Sequence, residues 1–307
     1  EHNIKRGLRN ENGTGVLVGI TRVGEVKGYI KDNGNKIPCE GELYYRGYAL
    51  SDLVHGFQKE NRLGFEEIVY LLLFAKLPTA IQLKDFNQIL DECRDLHSGF
   101  KEDVIIRIPA NNIMNKLQRS ILSLYSYDEK PDDVSVLNVL RQSIDLIAKL
   151  PTLTAYSYQV KRHAFHNESL MLHRPIKGVG TAANLLRMIR ADQKYTEEEV
   201  ELLDLLLVIQ AEHGGGNNSA FATHVVSSTG TDTYSAISTA IGSLKGPKHG
   251  GANKAVSDML IDIKKNIKLK DSDEKLAEYL KKILNKEVYD KSGLIYGLGH
   301  AVYTLSD

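Results

Sequence analysis

No excess of one charge sign runs along this chain: 39 Lys and Arg are matched by 39 Asp and Glu. That balance argues against nucleic acid or an anionic membrane as a partner, because both select surfaces of one sign. Long apolar runs are missing as well. The longest, LLDLLLVIQ at 202–210, is broken by an Asp and a Gln and reads as a buried helix; nothing approaches the roughly 18–20 residues that span a bilayer. Cysteine is scarce. Cys39 and Cys93 form neither a disulfide framework nor the CxxC spacing of a zinc site. Cys93 falls in phase with Leu83, Phe86 and Leu90 and reads as a core thiol, so a reducing, cytoplasmic setting is expected. No signal peptide, internal repeat, low-complexity linker or Walker pattern is visible. GVGTAANLLRMI at 178–189 lacks the third glycine and the preceding strand of a dinucleotide fingerprint. With Glu rather than Met at position 1, the natural start is expected to lie upstream.

What is present points to a mainly α protein, 307 residues long and so large enough for two domains. A small β element stands near the start: GVLVGITRVGEVKGYI is rich in β-branched residues, and Asn33-Gly34 suits a two-residue hairpin turn. ELYYRGYALSDLV turns into helix, with Ser51 as the expected N-cap. Helical periodicity dominates from there. FEEIVYLLLFAKLPT is apolar on most sides and ends at Pro78, and residues 79–97 are amphipathic. Ile113, Met114, Leu117, Ile121, Leu122 and Tyr125 repeat at helical spacing. So do Val134, Leu137, Leu140, Ile144 and Ile147, after which Pro151 is expected to start a separate segment, TLTAYSYQV. Thr196 with Glu199 forms a capping box for a helix running to Gln210. Further helices are expected at about 219–228, 233–245, 251–264 and 271–286.

Three histidines sit in glycine-lined settings: EHGGGN holds His213, GPKHGGAN holds His249, and GLGH ends on His300. ANKAVSDML continues from GPKHGG with helical phasing, so His249 is placed at a helix N-terminus. The partial positive charge there favours a neutral imidazole able to donate to an oxygen that gains negative charge. After His213, three glycines allow a sharp reversal, and Asn217, Asn218 and Ser219 offer cap oxygens for the next helix. Glycines before His300 would let a ligand lie against the main chain. The remaining histidines, among them His97, His163, His173 and His224, read as caps or satisfied surface groups. Three His ligands could hold zinc, but no HxH or HxxxH pair places two of them on one face.

These residues carry a resemblance. EHGGGNNSAFATHVVSSTGTDTYSAISTAIGSLKGPKHGGANKAV followed by GLIYGLGHAVYTLSD resembles the citrate synthase family, and GELYYRGYALSDLV, FEEIVYLLLFAKLPT and PTLTAYSYQV look like the family's earlier segments. The resemblance implies a two-domain helical fold, with residues 1–216 forming most of a large domain and 217–307 an incomplete small one, and a homodimer. It implies condensation of oxaloacetate with an acyl-CoA through an enol intermediate. Acetyl-CoA is the expected acyl donor, entering as a substrate with no separate cofactor; propionyl-CoA and 2-methylcitrate are the near alternative. By position, His249 would donate to the thioester's enol oxygen, His300 would polarise the ketone and protonate the new alkoxide, and His213 would hold oxaloacetate. The backbone of Leu294, Ile295, Gly297, Leu298, Gly299 and Ala301 would lie along coenzyme A. The three imidazoles are thus expected to converge on one cleft.

The sequence also departs from the family pattern. The family's carbon base is an aspartate in a DFYSG motif, and its carboxylate-binding arginines begin in a DPR run; neither occurs here. Glu212 and Gly214 flank His213 where the family more often has Asp and Glu. The expectation is a shortened form of a longer enzyme, inactive alone. The rival is an inactive relative that binds coenzyme A and an oxo acid, and citryl-CoA-cleaving lyases share related motifs.

Overall fold

A computed structural model of the chain describes residues 20–33, 35–268, 271–299 and 302–306. It is mainly helical, with one three-stranded sheet in the order β1-β2-β3. The strands are β1 (Gly24–Asp32), β2 (Asn35–Tyr45) and β3 (Tyr48–Ala49). Asn33 takes φ +46° after β1, as a hairpin turn requires; Gly34 and the stretch before Ile20 lie outside the described residues. The tight turn between β2 and β3 has positive φ at both Arg46 and Gly47, the geometry that matches strand twist. Tyr44 pairs with Ala49 and Tyr45 with Tyr48 across it.

Helices follow: α1 (Leu50–Lys59), α2 (Phe65–Phe74), α3 (Ala80–Cys93), α4 (Ile113–Leu124), α5 (Val136–His166), α6 (Gly180–Ile189), α7 (Glu197–Ile209), α8 (Asn218–Ser227), α9 (Thr233–Leu244), α10 (Ala252–Asn266) and α11 (Asp273–Leu284). A π-helical turn at Lys101–Ile106 was not expected. By their contacts the residues group into two compact units. Among the described residues, the first holds 20–27 and 42–243, the second 28–33, 35–41, 244–268, 271–299 and 302–306. Helices α8 and α9 group with the first unit, and Tyr234 of α9 lies in its core.

In the first unit α5 is the central element. Leu146, Leu153, Tyr156 and Val160 pack with Leu117, Ile121 and Leu124 of α4, Met188 of α6 and Phe100. Pro151 does not begin a new segment; it is buried inside a continuous α5. A proline there removes one backbone hydrogen bond, and burial of Leu153, Ala155 and Tyr156 just beyond it favours keeping the helix intact. Ser51 is not the N-cap of α1. Ala49 holds that position without a side-chain bond, because β3 runs directly into the helix. The apolar stripe that opens α5 is partly misread too: Val134 is 51 % and Leu137 80 % exposed, and the helix is buried only from Gln142 onward.

Buried polar side chains tie helix ends together. α2 starts at Gly64, which has no capping side chain, and its first N–H groups are taken by Asp204 of α7. The Thr181 N–H at the start of α6 donates to Glu66 of α2 at 2.7 Å. Arg94 lies 3.6 Å from Glu66 and donates to Asp91 and Thr181. LLDLLLVIQ is therefore not uniformly buried. Asp204 is 1 % exposed, whereas Leu202 and Leu206 are 60 % and 40 % exposed.

In the second unit, Met259 of α10 and Ile283 of α11 are buried, and Tyr279 donates to Asp262 at 2.7 Å. The tip of the β1–β2 hairpin cradles residues 302–306. Thr304 Oγ1 donates to the Gly28 carbonyl and accepts from the Cys39 N–H at 3.2 Å, while the Gly41 N–H donates to Ser306 Oγ at 2.9 Å. A Cβ on Gly28 would stand 2.4 Å from the Val302 carbonyl oxygen, and one on Gly41 2.4 Å from that of Ser306. Only glycine permits so close an approach. No helix among the described residues is long and apolar enough to cross a membrane.

Candidate active site

The His213 segment is shaped by what precedes it. The Thr196–Glu199 capping box is complete, each side chain receiving the other's backbone N–H. At the far end of α7 the fully buried Tyr45 hydroxyl donates to the carbonyls of Val208 (2.9 Å) and Ile209 (3.2 Å) and accepts from the Glu212 N–H at 3.3 Å. Glu212 Oε1 then receives the Gly214 N–H at 2.7 Å. The half-buried His213 is thus held between two fixed neighbours. Gly214 adopts φ +79°, and a Cβ there would meet Val26 of β1 at 3.2 Å. Gly24 of β1 leaves room for Glu212 in the same way, since a Cβ on it would stand 2.5 Å from the Glu212 Cγ. Asn217 caps α8, accepting from the N–H groups of Ser219 and Ala220.

His249 stands in the turn between α9 and α10, and the glycines around it have a steric reason. The Gly250 N–H donates to the Leu244 carbonyl and the His249 N–H to that of Gly246, both at 3.0 Å. A Cβ on Gly250 would stand 2.2 Å from the Leu244 oxygen, and one on Gly251 2.5 Å from the Pro247 oxygen. The turn folds back tightly and delivers a half-buried imidazole just before α10. Gly251 is the helix N-cap and no side chain caps it, so the positive end of the helix stands next to the histidine turn.

The segment before His300 is a run of unusual backbone. Tyr289, Lys291, Gly293, Gly297 and Gly299 all have positive φ. Tyr296 steadies it by donating to Asp290 at 2.6 Å and packing edge-on against Tyr289; the first of these bonds, with the Ser292 N–H, holds the Asp290 carboxyl below the usual carboxylate range. Gly297 faces Val256 of α10, which a Cβ would meet at 3.0 Å, and Gly299 faces open space. Leu294 and Leu298 are 56 % and 77 % exposed, and Ile295 is half-buried. His300 and Ala301 lie outside the described residues.

His213 therefore belongs to the first unit, and His249 and the 294–299 segment to the second. Tyr45, which fixes both the end of α7 and Glu212, has no motif in the sequence; only its long-range pairing reveals it. Among the other histidines, His163 and His173 bond to the carbonyls of Glu168 and Ala191, and His97 stacks on Tyr127. No group of His, Cys, Asp and Glu among the described residues is placed to hold a metal ion.

Comparison with known proteins adds the wider frame. The family described as "Citrate synthase, C-terminal domain" matches residues 12–307. The chain is 33 % identical to 2-methylcitrate synthase 1 of Corynebacterium glutamicum, over 88 % of this chain and 66 % of that protein. It is 33 % identical to a citrate synthase of Haloferax volcanii, over 99 % and 71 %. The crystal structure of citrate synthase from Pyrobaculum aerophilum superimposes with a TM-score of 0.72 at 28 % identity, covering 98 % of this chain and 70 % of that one. The chain spans about two thirds of the length of the curated relatives it matches.

Proposed function

Because the chain belongs to the citrate synthase family of condensing transferases, we propose that it serves in joining an acyl-CoA to oxaloacetate. Acetyl-CoA would give citrate and propionyl-CoA 2-methylcitrate; relatives of equal identity carry both names. The family reaction needs no cofactor. The observation that carries the reading is the family match over 12–307, which takes in all three glycine-lined histidine segments.

Forming a carbon–carbon bond at a thioester's α-carbon needs a donor at the oxygen that becomes an enol. His249 is that donor, and its position before the uncapped start of α10 supports the role. A single oxyanion donor is worth roughly 10²–10³ in rate. His213 holds the oxo acid. His300 polarises the ketone and returns a proton to the alkoxide, a step worth about 10²–10⁴. Coenzyme A runs along the backbone of Leu294, Ile295, Gly297, Leu298, Gly299 and Ala301. Positive φ at Gly297 and Gly299, with no side chain between main chain and ligand, supports that path.

The carbon also needs a base. No aspartate in a DFYSG-like setting occurs among the 307 residues, so the polypeptide 1–307 alone binds both substrates and does not turn them over. The working assembly is a homodimer in the cytoplasm. Calorimetry with oxaloacetate and with coenzyme A, beside a thioester-consumption assay, tests the reading. Binding without turnover supports it. Failure to bind either ligand contradicts the function, and full turnover contradicts the assignment of the base.

A further inference from the structure

Tyr45 ends β2 with its ring fully buried among Leu53, Phe57, Ile68, Leu71 and Val208. That packing explains the ring and not the hydroxyl, which is costly to bury unless it is bonded. The hydroxyl shares its proton between the carbonyls of Val208 and Ile209 and accepts from the Glu212 N–H. The end of α7 has closure of its own without it. The N–H groups of Gln210 and Ala211 both turn back to the Val208 carbonyl. What the phenol adds is a hold on the residue next to His213.

That hold has a fixed origin. The Arg46 N–H donates to the Val23 carbonyl at 2.8 Å, and its guanidinium donates to the Leu72 carbonyl at 2.6 Å. Tyr45 is thus anchored through its neighbour to β1's approach and to α2. On the other side of His213, the Gly214 N–H is taken by Glu212 Oε1. A Cβ on Gly24 would stand 2.7 Å from that same oxygen, so β1 bounds the carboxylate from behind. Both backbone N–H groups that flank His213 are therefore tied to one relay, Tyr45 to Glu212 to Gly214, all within the first unit.

We propose that Tyr45 is a positioning residue for oxo-acid binding: its hydroxyl acts through the Glu212 backbone to set where the His213 imidazole stands. This rests on the reading of His213 as the residue that holds the oxo acid. Y45F removes the hydroxyl and keeps the ring. It is compared with the wild type by oxaloacetate calorimetry and by proton–nitrogen NMR of the His213 ring, assigned by its loss in H213A. Y45F moves the His213 ring signals and weakens oxaloacetate binding at least ~10-fold. I68V trims the same apolar cluster, leaves the hydroxyl in place and does neither. G24A drives a Cβ into Glu212 from β1 and gives both effects should Y45F fail to fold. His213 signals that stay put in Y45F and G24A, or an oxaloacetate affinity equal to that of the wild type, would overturn the proposal. So would I68V reproducing the Y45F changes, since packing alone would then explain them. A wild type that does not bind oxaloacetate contradicts the function itself, and the ring signals then decide by themselves whether Tyr45 positions His213.

Discussion

The Asp204 carboxylate on α7 receives the Gly64 backbone N–H at 2.7 Å, at the first turn of α2. A helix that starts on glycine has no capping oxygen of its own, and here the cap arrives from another helix 140 residues along the chain. Glu66, inside α2, then does the same for α6 through Thr181. Three helix positions in the first unit are fixed by two buried carboxylates.

D204A leaves the buried N–H groups of Gly64 and Phe65 without an acceptor and is expected to cost about 1–3 kcal/mol of unfolding free energy. The pH dependence separates charge from geometry. Burial pushes Asp204 up to about 6, outweighing the N–H groups that lower it. A folded value above the unfolded one means a contribution that is full below about 3.9 and is lost as pH rises through about 6. Denaturant unfolding should therefore show the wild type losing stability relative to D204N between those values. A gain instead would mean that the charge-assisted bonds win over burial.

Asn217 holds the helix that follows His213 by accepting from Ser219 and Ala220. N217A should cost about 1 kcal/mol and speed amide exchange at those two positions first. Exchange that quickens equally along all of α8 would point to a different cause.

The hairpin tip and residues 302–306 meet at glycines, and backbone atoms cannot give way as a flexible side chain can. G28A and G41A should therefore destabilise the second unit more than T304V, which removes the hydroxyl bonds to Gly28 and Cys39 but keeps the close approach. Overpacking of this kind costs typically about 1–3 kcal/mol. Exchange protection at Val302–Ser306 is the readout, and the opposite order would refute the steric account.

At Gly250 an added methyl would stand 2.2 Å from the Leu244 carbonyl oxygen. G250A is expected to open the turn that presents His249 and so to weaken binding of acetyl-CoA, whose thioester oxygen His249 meets in the proposed reaction, while G216A, where a Cβ meets nothing within 4 Å, leaves binding unchanged. Equal effects from the two variants would detach the turn's shape from its role.

Local signals in the sequence proved readable where local physics decides. The Thr196–Glu199 box, the Asn217 cap and the spans of α9 and α10 all follow from neighbours in the chain. Pro151 and Ser51 were misread because tertiary packing overrides a local breaker and β3 leaves no room for a cap. The run at 202–210 is buried on one face only, with Asp204 and Val208 inside and Leu202 and Leu206 outside, because Asp204 is drawn in to meet a distant helix start. Tyr45 and the glycine cradle at Gly28 and Gly41 depend on partners more than 150 residues away, so no window of sequence could display them. The histidine turns fall between these cases: their glycines were visible, and the collisions that require them were not.

The most direct test of the functional account is an oxaloacetate titration of the wild type, H213A and H224A by calorimetry. The account predicts that H213A weakens binding at least ~10-fold, whereas H224A, on the exposed helix α8, binds as the wild type does. Oxaloacetate affinity unchanged in H213A, or absent from the wild type, would contradict it.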